Sequence, residues 1–215
     1  ALTSAGAPIS AIDDVTPIAF EEASAAVGSL KDVNGADGNY GIRYTLADVM
    51  GSGMTFDAFY TPNADGDAQA EKGTGGVSGS AEDAYEIVVK GSVPGVDGLD
   101  IGVGYAELSH HNDTAGAANS QDVVEGTAYA TYAFGGLKVG YQKGAVNTAG
   151  TGETNYVTEY IGASYAISDN LSISYNTIDS RYSPEDAAVE QDFDSISLSY
   201  TSGGMTIGVL DADCG

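Results

Sequence analysis

The strongest constraint on this chain is a period-two alternation of apolar and polar residues, repeated over ten segments between residues 40 and 211. In YGIRYTLADVMGSGMTFDAFY, residues 40–60, one face carries Tyr40, Ile42, Tyr44 and Leu46, then Met54, Phe56, Ala58 and Tyr60 beyond a turn. Gly41, Arg43 and Thr45, then Thr55, Asp57 and Phe59, share the other. The pattern recurs in LDIGVGYAEL (99–108), in two segments on either side of FGG (134–136), and in two on either side of SDN (168–170). It closes with Ile196, Leu198 and Tyr200, then Met205, Ile207 and Val209. Alternation of this kind predicts antiparallel strands with one apolar face each. Helix is expected only in FEEASAAVGSL, residues 20–30.

The connections sort by length. ADVMGSG, VPGVDG, FGG, SDN and TSGG are short, and each alternates with a long polar link at 61–83, 109–122, 144–154 or 179–191. A β-sandwich has no reason to place all its long links at one end. An up-and-down transmembrane barrel does, with tight turns on one side and long loops on the other.

Alternation does not say which face points out. The polar face is dominated by Ser, Thr and Gly rather than the dense Lys and Glu of a soluble surface. Aromatic residues also fall at both ends of the apolar runs: Tyr60, Tyr105, Tyr141 and Tyr175 before long links, and Tyr44, Phe134, Tyr165 and Tyr200 before short ones. Two aromatic girdles at the membrane interfaces have this appearance. An apolar face turned to lipid is therefore expected, and a soluble lipid-binding barrel ranks below it.

Charge narrows the function. There are 31 acidic and 7 basic residues, a formal net charge of −24, so nucleic acid, which is held by Lys and Arg on phosphates, is excluded as a partner. Cations are favoured. The single cysteine, Cys214, can form no intrachain disulfide. The chain holds no GxSxG, HExxH, P-loop or CxxC motif, and no enzymatic activity or cofactor is expected. In NADGD, Asn63, Asp65 and Asp67 stand at alternate positions, a spacing that suits calcium oxygens without completing an EF-hand loop. Surface calcium is the one ion considered. A secreted, acidic, glycine-rich β-protein, such as a calcium-dependent adhesin or surface-layer component, is the alternative reading.

NYGIRYTLADVMGSGMTFDAFY, GLDIGVGYAEL, TAYATYAFGGLKVGYQKG and YIGASYAISDNLSISYNTID together resemble a Gram-negative general porin of the acidic alphaproteobacterial type. The resemblance implies an outer-membrane barrel of sixteen strands, a homotrimer in lipid, and passive passage of small hydrophilic solutes and cations. It also implies a long loop folded into the pore. Residues 1–39 are expected to be chiefly that loop and residues 40–215 the strands, so the chain reads as part of a porin. In such a pore, loop carboxylates face wall cations across a constriction. The loop candidates are Asp13, Asp14, Glu21, Glu22, Asp32 and Asp37. The wall candidates are Arg43, Asp57, Glu86, Lys90, Asp100, Glu125 and Lys138, with Arg43 and Asp57 able to pair across one hairpin. Glu159 breaks the alternation and is expected near a long loop, above the lipid boundary.

Overall fold

The computed structural model describes residues 2–3, 7–26, 30, 32–36, 41–62, 64, 81–110, 122–148, 154–183 and 189–214. Among the described residues one sheet contains every strand: β1 (Leu2–Thr3), β2 (Gly41–Leu46), β3 (Thr55–Thr61), β4 (Ala81–Ser92), β5 (Leu99–His110), β6 (Val123–Phe134), β7 (Leu137–Thr148), β8 (Thr154–Ser168), β9 (Leu171–Ser183), β10 (Val189–Ser202) and β11 (Met205–Cys214). Each strand pairs antiparallel with its neighbours in sequence, so the order along the sheet is the order along the chain. This is the up-and-down arrangement that the sorting of short and long links predicts. The ten expected strands are all present, and a two-residue β1 on Ile42 and Gly41 is added from a region read as loop.

The strands run further than their apolar pattern. β7 continues to Thr148, β9 to Ser183, and β10 begins at Val189, inside links read as loops. Beyond Tyr141 and Tyr175 the outward positions become Lys143, Asp179 and Arg181. With polar residues outward there, and apolar Val146 and Ile178 turned inward, the alternation loses its phase while the backbone ladder continues. The expected helix at 20–30 is also corrected. Only a single 3₁₀ turn, Ala23–Ala26, forms among its described residues.

The apolar face points outward. Ile161, Ile196 and Val209 are 53, 54 and 55 % exposed, and Ile42, Ile87, Val103 and Ile207 share their face. No water-soluble monomer leaves so continuous an apolar belt open, but lipid covers it at no cost. Replacing Ala163, the outward residue between the levels of Tyr141 and Tyr165, with Arg is expected to cost about 2–4 kcal/mol. Ser164→Arg, aimed at the other face of the same strand, should cost far less. Denaturation midpoints in lipid vesicles compare them, and equal losses would reverse the assignment of faces.

Both edges of the belt are aromatic. At the short-turn end Phe134, Tyr165 and Tyr200 are exposed. At the other, tyrosine hydroxyls donate to carboxylates: Tyr105 and Tyr85 to Glu107, Tyr141 to Glu159 at 3.2 Å, and Tyr175 to Asp194 at 2.6 Å. Lys143 Nζ lies 2.6 Å from Glu159 across the β7–β8 pair, on the outward face five residues from the long-link end of β8. A ring in the belt and a wet hydroxyl above it suit tyrosine at an interface. Of the turns, Gly203–Gly204 needs glycine most, with φ of +59° and +82° in a two-residue hairpin.

Candidate functional site: a segment laid across the polar face

The opposite face of the sheet carries Ser, Thr, Gly, Gln and Asn, and the described part of residues 7–36 lies on it. The path follows from its hydrogen bonds. Ile9 N donates to Glu86 Oε2 on β4 at 3.1 Å. Val15 N donates to Gln142 Oε1 on β7 at 2.9 Å, and Gln142 Nε2 returns bonds to the carbonyls of Ile12 and Asp13. Asn176 Nδ2 on β9 donates to Thr16 Oγ1 at 3.1 Å. Ala19 N reaches Ser174 Oγ at 2.9 Å and Phe20 N reaches Ser197 Oγ on β10 at 3.2 Å.

The chain then turns and comes back. Ala23 and Leu30 cluster with Tyr160, Ile178 and Phe193. Asp32 accepts from the Tyr160 hydroxyl and from Val33 N. Asn34 N and Gly35 N both donate to Glu125 Oε2, at 2.7 and 2.6 Å, and Ala36 N donates to Glu86 Oε1 at 2.6 Å. Glu86 thus holds the outgoing leg with one oxygen and the returning leg with the other. Both glutamates are buried, at 0 and 2 % exposure. A buried carboxylate survives when backbone N–H groups satisfy it, and such charge-assisted bonds are the stronger kind.

Glycines make the bed. A Cβ on Gly140 would stand 2.5 Å from Pro17 Cδ, one on Gly162 would stand 2.9 Å from Thr16 Cβ, and those on Gly144 and Gly208 would strike Asp32 and the Phe20 ring. Side chains are absent from the wall where the segment crosses it closely.

The crossing also reports the strand tilt. The ladder from Gly104 on β5, which Ile9 touches, passes through Thr127, Gly144, Thr158 and Ser180 to Gln191 on β10. The segment meets β10 at Ser197 instead, six residues further along the strand after five strand steps. At about 3.3 Å per residue and about 4.8 Å between strands, a level crossing corresponds to strands tilted by about 40°. Outer-membrane barrels have that tilt.

The sequence-derived candidates divide into groups. Asp14 and Glu21 are exposed on the segment, and Asp13 and Glu22 partly so. Asp32 is not open to the pore side as expected: it is 3 % exposed and engaged by Tyr160. Glu86 and Glu125 face inward but lie beneath the segment, serving as its anchors rather than open wall charges. Arg43 Nε stands 3.1 Å from Asp57 Oδ1, which also accepts from Thr45 Oγ1. Lys90, Asp100 and Lys138 occupy inward positions towards the short-turn end, where Ser92 Oγ donates to Asp100. Asp37 and the calcium candidates Asn63, Asp65 and Asp67 lie outside the described residues. Among the described residues no group of three His, Cys, Asp or Glu side chains could hold a metal ion.

Sequence reasoning missed Gln142, Ser174, Asn176, Ser197 and Tyr160 as a docking surface. One signal was available. Val88, Val123, Val146, Ile178 and Phe193 are apolar residues out of phase on the polar face, and all are buried beneath or beside the segment.

An antiparallel wall, apolar towards lipid and polar within, with a segment folded over its polar side, defines a diffusion channel of the outer-membrane barrel class. Residues 4–203 match the Gram-negative porin family. The chain belongs to that family, and its place is the outer membrane, where it forms a passage for small solutes. No curated protein matches it.

Proposed function

We propose that this porin is a cation-preferring channel of the acidic type, passing small hydrophilic solutes passively and needing no cofactor or catalysis. The observation that carries the preference is the exposure of Asp14 and Glu21 on a stretch pinned to the wall between them at Gln142, Asn176, Ser174 and Ser197. Fixed carboxylates over a polar wall concentrate cations and repel anions. The net charge of −24 adds a field of the same sign. A homotrimer in lipid, as the family resemblance implies, is part of this reading. So is pairing of the β2 and β11 edges with further strands, since bilayers do not tolerate open sheet edges.

The experiment is the reversal potential of the purified protein in a planar bilayer across a potassium chloride gradient. The expected result is stable ohmic steps and a reversal potential of the sign given by cation flow. At about 7 Å in water one carboxylate attracts a monovalent cation by about 0.6 kcal/mol, a factor of about three in local concentration. The pair Asp14→Asn and Glu21→Gln should therefore lower the permeability ratio several-fold. A reversal potential at zero, or of anion sign, removes the cation preference.

A further inference from the structure

A groove interrupts the lipid-facing belt. Along one row of outward positions Val139, Ala163, Tyr175 and Ile196 stand side by side on β7 to β10. Ala163 is the smallest side chain of the row, and it floors a hollow of about 260 Å³ walled by Leu137, Tyr165, Ile173, Tyr175 and Ile196. That exceeds the ~150 Å³ of a cavity that takes a benzene ring, so a stretch of acyl chain fits in it. In a bilayer the chain of any lipid can lie there, because hydrocarbon gains nothing by leaving hydrocarbon. Selection must come from what stands at the head of the groove.

Carboxylates stand there. The groove wall itself reaches them, since the Tyr175 hydroxyl donates to Asp194 Oδ1 at 2.6 Å. Asp192 follows on the same face of β10, about 7 Å further along, directly opposite Asp179 on β9. Like charges opposed across a strand pair repel. Arg181 answers only one oxygen of Asp179, Oδ2, at 3.0 Å. The other, Oδ1, is buried with no hydrogen-bond partner among the described residues. Among those residues no Lys or Arg pairs with Asp192 or Asp194. The patch lacks a cation with several N–H donors. A second copy of the same wall would bring the same acids against it and is disfavoured. We propose that the groove and Asp179, Asp192 and Asp194 bind one lipid whose headgroup carries a primary ammonium, its chain laid on Ala163 and its ammonium shared by the carboxylates. The inference rests on the outward apolar face and is independent of the channel's cation preference.

The test is native mass spectrometry of the purified porin in detergent, titrated with dioleoyl phosphatidylethanolamine or dioleoyl phosphatidylglycerol. The two share chains and phosphate and differ in the ammonium. Phosphatidylethanolamine is expected to bind about fivefold more tightly, the size of one charge contact at a membrane surface. Asp194→Asn keeps an acceptor for the Tyr175 hydroxyl, loses the charge, and should remove most of that margin. Ala163→Leu fills the groove and should weaken both lipids. Circular dichroism of each variant, expected unchanged, reports that the strands are in place. Equal affinity for the two lipids overturns the proposal, as does a margin that survives Asp194→Asn. Phosphatidylglycerol preferred once magnesium is added also overturns it, in favour of a phosphate bridged by metal. If Ala163→Leu leaves lipid binding intact but splits an oligomer, the groove belongs to a second copy and the lipid site is wrong.

Discussion

Glu86→Gln should loosen both legs of the inward segment while leaving the sheet in place. The native carboxylate accepts Ile9 N with one oxygen and Ala36 N with the other. A glutamine keeps one acceptor and turns an NH₂ group on the second amide, donor against donor, in a fully buried position. A hydrogen bond to a charged group is worth about 1.5–3 kcal/mol, and a buried donor left unsatisfied adds to the loss. A loss of about 2 kcal/mol raises the undocked population about thirtyfold. Single-channel records should show higher open-channel noise, frequent sub-states and weakened cation preference. Glu125→Gln is the internal control. Asn34 N and Gly35 N both bind Glu125 Oε2, so an amide oxygen placed there retains both bonds without their charge assistance, and the disturbance should be clearly smaller than that of Glu86→Gln. If the two variants behave alike, or Glu86→Gln is silent, the two-legged anchor is wrong.

The second large effect is steric and has the opposite direction. Gly140→Val puts a branched side chain where a Cβ alone would already stand 2.5 Å from Pro17 and 3.0 Å from Thr131 Cγ2. The wall cannot retreat, because β7 is held on both sides by full ladders to β6 and β8. The segment must lift instead, carrying Asp14 and Ile18 further from the wall. Overpacking of this kind costs about 1–3 kcal/mol. A lower unit conductance is expected, with heat-resistant strand content retained by circular dichroism. Unchanged conductance would mean that the segment does not bound the passage at Pro17.

Several of these parts were legible in the residues. Alternation in segments such as Leu99–Leu108 marked the strands, and the sorting of short and long links marked the up-and-down order. The pairing of Arg43 with Asp57 was foreseeable from their places on one hairpin. Strand ends were not, because Lys143, Asp179 and Arg181 replace apolar residues on the outer face beyond the tyrosines, breaking the phase of the alternation. The anchors were misread as well. Glu86 and Glu125 look in sequence like any inward charge, and what they meet arrives from 50 to 91 residues away.

The chain's own sequence determined that it is a meander of antiparallel strands with one apolar and one polar face, strongly acidic and girdled by aromatics. Those are properties of period, composition and neighbouring residues. Only the tertiary structure decided which face looks outward, and which of the acids are exposed and which are spent on holding the segment. The reason is that a side chain's environment depends on what crosses its face. Here one segment, crossing from β4 to β11 and back, buries Glu86, Glu125 and Asp32, while Asp14, Ile18, Phe20 and Glu21 stay exposed to solvent.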